Sequence, residues 1–345
     1  MSIEWSTWSW NPVIGCSPVS RGCAHCYAAI TAYRLTRMGN KDYTGLVEPG
    51  AQHALWTGAV SEMPQRLAEP MRKKKPQVVF VNSMSDLFHP RVSFEFIAAV
   101  LGVVMACRQH QFVVLTKHIE QALEFHTWLR SDHIRMAGNM AGACLTQMRM
   151  ANGVPEATRE EILTRTGDEP WPPENLWLGP SLEGVNEAAR RRPATSALMA
   201  AGYNTVFSCE PLLDDLSPEL PFFWPSHGKA RSWLIAGGES GEAARACDLE
   251  WLMKLRDFCA AKNVPFYCKQ LGSWPITRAT APRGLEPRDE RGADVAEWPE
   301  SLRVFQAPPE IAAILNTKKN GRPVTTVGVP GSTDWEPPEQ ERSDA

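Results

Sequence analysis

Short apolar runs alternate with longer amphipathic stretches along most of the chain. Each run is rich in β-branched or aromatic residues and ends in a small polar or charged group, which is typical of buried strands. The stretches from Ser93 to Arg108 and from Leu249 to Lys262 place apolar residues at helical spacing. The predicted strands are residues 3–7, 78–81, 112–115, 176–178, 205–207, 233–236 and 265–267.

Near-continuous apolar strands that alternate with helices predict an α/β protein with a parallel sheet covered on both faces. A doubly wound sheet and a barrel both fit this alternation. We favour a β/α barrel, because barrel sites are built by the loops that follow the strands. The simpler alternative is that the polar group after each strand merely terminates it.

The chain divides into a barrel and two further segments. The barrel is assigned to residues 1–274, with an inserted lid at 131–174 that begins rich in Met and Gly and ends acidic and rich in Pro. A C-terminal extension follows at 275–325. Residues 326–345 are rich in Gly, Pro, Ser and acidic residues, so we expect a disordered tail there.

Composition narrows the classes of function. The 345 residues include 36 Lys and Arg against 39 Asp and Glu, and this net charge of -3 does not favour a polyanion-binding protein by bulk electrostatics. The first residues lack the pattern of a secretion signal, and no apolar run reaches the ~18 residues of a spanning helix. We therefore expect a cytoplasmic protein with no membrane partner, whose cysteines stay reduced.

Three of the nine cysteines lie within eleven positions of one another. Cys16, Cys23 and Cys26 form a C-x6-C-x2-C motif in a loop between the first predicted strand and a helix predicted from Tyr27 to Met38. This loop falls at the end of the barrel where the site is expected. The other cysteines are isolated and are predicted to be buried packing residues, namely Cys107, Cys144, Cys209, Cys247, Cys259 and Cys268.

Thiolates bind zinc ions and iron-sulfur clusters, and their number here is informative. A structural zinc ion needs four ligands, whereas a 4Fe-4S cluster on three cysteines keeps one iron open for a ligand such as S-adenosylmethionine. The spacing leaves two alternatives open. Either His25 completes a Cys3His zinc site, or the C-x2-C pair is a redox pair.

The cysteine motif is one of several ordered segments that together resemble the phage-type three-cysteine proteins of phage and bacterial genomes, which are regarded as radical S-adenosylmethionine-like and whose function is largely unassigned. The resemblance covers roughly residues 3–274. Its other segments are Glu4-Trp5, Trp10-Asn11-Pro12, Val81 to Pro90, Leu115-Thr116-Lys117, Trp177-Leu178-Gly179 with Ser181 and Glu183, Ser208 to Leu212, Gly237 to Gly241, and Lys269-Gln270.

The resemblance implies a partial or modified TIM-like β/α barrel of the radical S-adenosylmethionine type. It also implies a 4Fe-4S cluster on Cys16, Cys23 and Cys26 that binds S-adenosylmethionine. Reduction by a donor such as flavodoxin or ferredoxin would then yield a 5′-deoxyadenosyl radical. The usual spacing in such enzymes is C-x3-C-x2-C, so the shape of this loop departs from the family pattern. The implied cofactor-binding candidates are Asn82, Ser83, Asp86, Thr116, Ser181, Ser208, Gly237, Gly238 and Glu239.

Two groups of these candidates compete for the methionyl end of the cofactor. Gly237-Gly238-Glu239 resembles the Gly-Gly-Glu element that contacts the methionyl amino group in radical enzymes, but here it ends a late strand. Asn82, Ser83 and Asp86 occupy the early position instead.

Four charged residues at the strand ends are candidates for catalysis. Glu183 and Glu210 can accept hydrogen bonds from ribose hydroxyls or a substrate amine, and Lys117 and Lys269 can pair with a carboxylate or phosphate. The structural alternative is ion pairing across the mouth of the barrel.

The substrate is indicated only by context. The phage association suggests a nucleobase-derived substrate in DNA hypermodification, acted on by an isomerase, transferase or lyase, with Trp5, Trp8 and Trp10 available for stacking. Basic runs at 72–75 and 190–192 could contact phosphate, although solvated helix ends explain them more simply. The alternatives are a radical enzyme on a free small metabolite, or a non-catalytic zinc protein that binds nucleic acid.

Overall fold

The computed structural model describes residues 3–50, 53–131, 170–223, 231–277, 287–318 and 321–327, together with single positions at 147 and 156. Most of the predicted lid at 131–174, and the predicted tail at 326–345 from residue 328 onward, lie outside the described residues. Cys144 is also outside them.

Seven parallel strands follow one another in space in the order of the sequence. The first four form one hydrogen-bonded sheet and the last three another, and bridges from Trp177 to Asn204 and from Ser181 to Ser208 join the two. The strands are β1 (Trp8–Trp10), β2 (Val78–Val81), β3 (Gln111–Thr116), β4 (Leu176–Pro180), β5 (Thr205–Cys209), β6 (Ser232–Gly237) and β7 (Phe266–Gln270).

Helices connect these strands. Ser93 and Asp248 cap two of them, because their side chains accept hydrogen bonds from the backbone N–H groups of Phe96 and Glu250. Both helices were predicted and are confirmed within two residues at each end. Among the described residues, α-helices cover α1 (Tyr27–Arg37), α2 (Phe94–Ala106), α3 (Ile119–Leu129), α4 (Val185–Ala200), α5 (Leu249–Ala261) and α6 (Pro309–Leu315).

Several short strand pairs and 3-10 turns lie outside these strands and helices. Val13–Ile14 pairs antiparallel with Ser61–Glu62, Val47–Pro49 pairs antiparallel with Ala54–Trp56, and Cys247–Asp248 pairs parallel with Pro275–Ile276. Short 3-10 turns lie at Arg21–Cys23, Lys41–Tyr43, Pro64–Arg66, Pro70–Arg72, Leu220–Phe223, Val295–Glu297 and Glu300–Leu302. No helix among the described parts of the chain is both long and apolar enough to cross a membrane.

The strands are buried on both faces, as their continuous apolar runs require. One face of β2 to β4 packs on α2 and α3, and the same face of β5 to β7 packs on α5. On the opposite face, side chains from six strands form one continuous cluster. Its members include Val78, Phe80, Val113, Trp177, Val206, Trp233, Ile235 and Tyr267.

Residues of the C-terminal extension complete that inner cluster. Ile311, Ala312 and Leu315 of α6 are buried against it. The extension also covers the outer edge of β7, where Phe305 pairs antiparallel with Tyr267. An inner face shared by consecutive parallel strands is what a β/α barrel requires, and we propose a partial barrel as the description of this fold.

The first strand differs from its prediction. Residues 3–7 were expected to form it, but the hydrogen-bonded strand is Trp8–Trp10, whose residues pair with Val79, Phe80 and Val81. Trp5 instead packs between Phe80 and Trp233 in the inner cluster, with ring centroids 4.8 and 6.1 Å away. The need to fill the inner face with a large side chain thus overrides the local pattern.

Candidate functional site

The cysteine loop, defined here as residues 11–26, begins where β1 ends. The strands are parallel, and the last residues of β1 and β2 pair with each other, as do those of β3 and β4. Because the end of β2 pairs two residues before the end of β3, this loop starts at the same edge as the loops after those strands. Ser85, after β2, anchors it by donating from Oγ to the Val13 carbonyl at 2.6 Å and by bridging Gly15. Gly15 has φ +88°, and a Cβ there would lie 2.3 Å from the Ala59 carbonyl oxygen, so only glycine fits this turn.

The three thiols of this loop are half-buried and form no disulfide. Burial raises the pKa of the Cys16 thiol, and the nearby charges of Asp86, Cys26 and Cys23 raise it further. Burial also acts to raise the pKa of Cys23, but the Lys117 ammonium and hydrogen bonds at Val19 and Ser20 outweigh it, so that pKa lies below its ordinary value. The thiols are thus close enough to influence one another's ionisation.

A row of alternating charges runs from Cys23 into the protein. The Lys117 Nζ lies 3.6 Å from the Cys23 Sγ and 2.6 Å from Oε1 of Glu183, and Oε2 of Glu183 lies 2.6 Å from Nη1 of Arg191. Ser20 donates to the same Oε1 at 2.9 Å. We call Cys23, Lys117, Glu183 and Arg191 the charge row.

The two inner members of the charge row are fully buried. The side chains of Glu183 and Arg191 are 0% exposed. Burial acts to raise the pKa of Glu183, but Lys117 and Arg191 outweigh it, so that pKa lies below its ordinary value and the carboxylate is ionised. Burial acts to lower the pKa of Lys117, but Glu183 and Cys23 outweigh it, so that pKa lies above its ordinary value.

Asp86 supports the loop that carries Lys117. Its Oδ1 accepts hydrogen bonds from Thr116 Oγ1 at 2.7 Å and from the Phe88 N–H at 3.0 Å, and its Oδ2 accepts from the Lys117 N–H at 2.8 Å. Both Asp86 and Thr116 are buried. These contacts make the pair a brace between the loops after β2 and β3, and we assign neither residue a direct cofactor contact.

Glu239 joins the cysteine loop to the later strands. Arg245 binds it in a fork, with Nη2 2.5 Å from Oε1 and Nε 2.8 Å from Oε2, and His25 Nδ1 lies 3.0 Å from Oε2. Arg245 also donates to the Arg21 carbonyl at 2.8 Å. Burial acts to raise the pKa of Glu239, but hydrogen bonds from Arg245 and His25 outweigh it, so that pKa lies below its ordinary value. To contact the methionyl amino group as predicted, Glu239 would therefore have to exchange its hydrogen bonds with Arg245 or His25.

A second ion pair joins Glu210, which follows β5, to Lys269 near the end of β7. Lys269 Nζ is 3.1 Å from Glu210 Oε1, and the Ser208 hydroxyl donates to Glu210 Oε2 at 3.4 Å. A Cβ on Gly237 would lie 3.1 Å from Glu210 Oε1, so the absence of a side chain at Gly237 leaves room for the carboxylate. Tyr27 has an exposed ring, and its hydroxyl donates to the Ser83 carbonyl at 2.8 Å.

The remaining candidates lie at the same strand ends. Asn82 is buried with φ +61°, and its Nδ2 has no hydrogen-bond partner among the described residues. Its Oδ1 accepts from the Val13 N–H at 3.4 Å. The Ser181 carbonyl accepts from Arg191. A Cβ on Gly238 would lie 2.2 Å from the Leu271 carbonyl oxygen, so this glycine permits close approach of two loops.

The cysteine loop offers three thiols and the His25 imidazole as donors for a metal group. A zinc site needs three or four donors about 2.0 to 2.3 Å from one point. Among the described residues, no group of three or more His, Cys, Asp or Glu side chains could hold a metal ion. His25 directs Nδ1 at Glu239, an arrangement by which metal-binding histidines commonly orient their other ring nitrogen. The thiolates of a cluster bind separate irons and need not converge on one point, so three half-buried thiols in one loop suit it.

The expectation that Trp5 and Trp10 stack on nucleic-acid bases is wrong. Trp5 is 1% exposed and Trp10 is 0% exposed, so neither ring can stack on a bound base. The basic run at 72–75 precedes the first residue of β2 and so lies at the amino ends of the strands, opposite the cysteine loop. Lys73 there packs over the Trp8 ring at 4.6 Å.

Two arginines of the site were missed by reasoning from the sequence. Arg191 was taken as part of a solvated helix end, yet it is fully buried, because it shares the buried stripe of α4 with Ala188, Ala194 and Leu198. That helical spacing was visible in the sequence and would have placed Arg191 inward. No local pattern pointed to Arg245, whose partner Glu239 lies in an irregular loop.

Parallel strands, with three thiols and the Lys117–Glu183 and Glu210–Lys269 ion pairs at their carboxyl ends, define a mixed α/β protein with a cysteine-lined site. The chain belongs to the family described as Protein of unknown function (DUF5131), which matches residues 1–324. No curated protein matches this chain, and no solved structure does.

Proposed function

We propose that this chain is a radical S-adenosylmethionine enzyme in which Cys16, Cys23 and Cys26 hold a 4Fe-4S cluster. The observation that carries the proposal is that three half-buried thiols lie in the loop after β1, where the Lys117–Glu183 ion pair contacts Cys23. The Glu210–Lys269 ion pair lies at the carboxyl ends of β5 and β7. When bound and reduced, such a cluster supplies the electron that cleaves the sulfonium of S-adenosylmethionine, giving methionine and a 5′-deoxyadenosyl radical that abstracts hydrogen from a substrate.

The chain's own residues offer binding groups around the thiols. The Asn82 Nδ2 is a buried donor without a partner, and strained backbone at such a residue is typical of a functional position. Glu210 and Lys269 present one acceptor and one cation, which suit a substrate that carries an amine and a carboxylate or phosphate. We therefore assign substrate binding to this pair and cofactor binding to Asn82. Tyr27 is exposed and donates its hydroxyl hydrogen bond to the Ser83 carbonyl, next to Asn82, and we assign it as a stacking surface.

A small substrate suits the site better than DNA. Two of the three tryptophans expected to stack on bases are buried, and the basic run at 72–75 lies at the opposite strand ends. We propose a nucleobase-derived or other anionic small molecule as the substrate. The expected reductant is an electron carrier such as flavodoxin or ferredoxin, and a reducing compartment such as the cytoplasm suits the free thiols.

Metal and cofactor analysis tests the proposal directly. Protein purified without oxygen and reconstituted is expected to contain iron and sulfide, and to release 5′-deoxyadenosine from S-adenosylmethionine under reduction. Replacing Cys16, Cys23 or Cys26 by Ala should abolish both properties, whereas Cys107→Ala, a buried packing cysteine, should keep them. Stoichiometric zinc without iron, together with no cleavage, would refute the proposal.

Salt dependence separates the two substrate classes. Binding to an oligonucleotide through phosphate contacts weakens steeply as salt rises. We expect no such salt-sensitive binding to oligonucleotides. Tight, salt-sensitive oligonucleotide binding would favour DNA as the substrate instead.

A further inference from the structure

The charge row links four separate elements. Cys23 belongs to the cysteine loop, Lys117 follows β3, Glu183 follows β4, and Arg191 lies on α4. Their contacts are 3.6, 2.6 and 2.6 Å in sequence, and the charges alternate in sign when the thiol is ionised. The outer end of the row is a cysteine of the proposed cluster, and the inner end is an arginine with no access to solvent.

Stability alone does not explain the inner end of the row. Burying a carboxylate and a guanidinium costs several kcal/mol per ion, and an apolar pair of similar size is often at least as stable. Arg191 is also incompletely satisfied, since its Nε and Nη2 have no hydrogen-bond partner among the described residues. The Glu183–Arg191 pair is therefore not explained by a gain in stability, and this indicates a functional role for its charges.

The local structure is shaped to hold Glu183 in place. Gly22 faces it so closely that a Cβ would lie 2.4 Å from Glu183 Cγ. Ser20 and Lys117 share Oε1, while Arg191 holds Oε2. With both oxygens fixed, the carboxylate can keep the Lys117 ammonium in one position, beside the Cys23 sulfur.

We propose that Arg191 is a positioning residue that acts through Glu183 to hold the Lys117 ammonium at the Cys23 sulfur, and thereby raises the reduction potential of the bound cluster. The inference rests on the proposed function, because it requires a cluster on Cys23. A cation that contacts a ligating sulfur stabilises the reduced cluster, which carries one more negative charge than the oxidised one. The Arg191 guanidinium adds to this field and keeps Glu183 from drawing Lys117 away.

The sign of the potential change in three variants tests this inference. Lys117→Met removes the nearest positive charge and should lower the midpoint potential most. Arg191→Met removes the remote positive charge, while Lys117 keeps Glu183 ionised, so the potential should fall by less. Glu183→Gln removes a negative charge but keeps an amide oxygen that can still accept a hydrogen bond from Lys117. The ammonium then stays in place and the potential should rise. Arg191→Lys keeps the charge and should restore most of the wild-type value.

Arg192→Met provides a matched control next in the chain. Arg192 pairs with Glu219 at 3.1 Å and packs on Phe222, outside the site, so this variant should keep the wild-type potential. The readout is a potentiometric titration followed by electron paramagnetic resonance on reconstituted protein, with iron content measured alongside. Should Arg191→Met fail to fold, Lys117→Met and Glu183→Gln still give the two opposite signs.

The outcomes separate this inference from the function on which it rests. Opposite shifts for Lys117→Met and Glu183→Gln, with Arg192→Met unchanged, support it. Shifts of one sign in every variant, or no shifts, overturn it and leave the cluster proposal standing, because loosening of the site would move all variants alike. A wild-type chain that takes up no iron overturns the proposed function and the inference together.

Discussion

We expect Gly22→Ala to destabilise the protein, because the added methyl group would collide with the side chain of Glu183. The added Cβ would lie 2.4 Å from Cγ of Glu183 and 2.9 Å from its Cδ and Oε1, whereas ordinary contacts begin at 3.4 Å. The backbone of Gly22 is not in the left-handed region, so the backbone itself tolerates alanine. The strain therefore falls on Glu183 or on the Arg21–Cys23 turn, one of which must move by about 1 Å.

A movement of this size carries a definite cost. Glu183 is held at 2.6 Å by Lys117, at 2.6 Å by Arg191 and at 2.9 Å by Ser20, and a shift of about 1 Å takes one or two of these contacts beyond hydrogen-bond distance. Each hydrogen bond to a charged group is worth about 1.5 to 3 kcal/mol. We expect the free energy of unfolding to fall by about 2 to 5 kcal/mol.

Urea unfolding of the cluster-free protein measures this cost, read as a lower midpoint at unchanged slope. Gly321→Ala is the control, because its Cβ would come no nearer than 3.1 Å to Lys318 Cβ. In a Glu183→Ala background the colliding atoms are gone, so Gly22→Ala should then cost less than about 0.5 kcal/mol. An equal cost in both backgrounds would refute the reasoning.

Two further predictions concern the pH dependence of stability and the packing of β4 against β5. Burial lowers the pKa of His89, His110 and His126, so the folded protein keeps them neutral while the unfolded chain takes up protons near pH 6.5. The unfolded state then binds more protons, so the urea midpoint should fall as pH drops from about 7.5 through 6.5 towards the folded pKa values, and a constant midpoint would contradict this. A Cβ on Gly179 would lie 1.8 Å from the Val206 carbonyl oxygen of the adjacent strand. Gly179→Ala should therefore lower the free energy of unfolding by at least about 3 kcal/mol or prevent folding, as judged by circular dichroism and soluble yield. A wild-type urea midpoint would contradict the close packing of β4 on β5.

Much of the strand frame could be predicted from the sequence. Five of the six later strands contain their predicted apolar runs, and β7 begins one residue after the start of its own. A strand buried on both faces needs continuous apolar residues, and such runs are visible in the local sequence. The first strand was misplaced because Trp5 serves the inner cluster, a demand set by Phe80 and Trp233 far along the chain. The five other described cysteines are buried, as predicted.

The site was predictable in its residue types but not in its pairing. Lys117, Glu183, Glu210 and Lys269 were identified from their positions after strands, and the structure joins them as two ion pairs, the alternative foreseen for them. Which lysine meets which glutamate depends on the order of the strands in space, which no short pattern contains. For Arg191, the helical spacing in the sequence indicated an inward position, but its charge partner Glu183 could not be identified until the strands were placed in space.

The segment at 304–325 is made by the ribosome after all seven strands. Until it emerges, the outer edge of β7 lacks its antiparallel partner, and the inner cluster lacks the apolar side chains of α6. Unpaired strand edges and open apolar faces are the surfaces on which nascent chains associate with one another. Chains cut short before residue 304 should therefore aggregate or engage chaperones, although they contain every cysteine and every charged residue of the site.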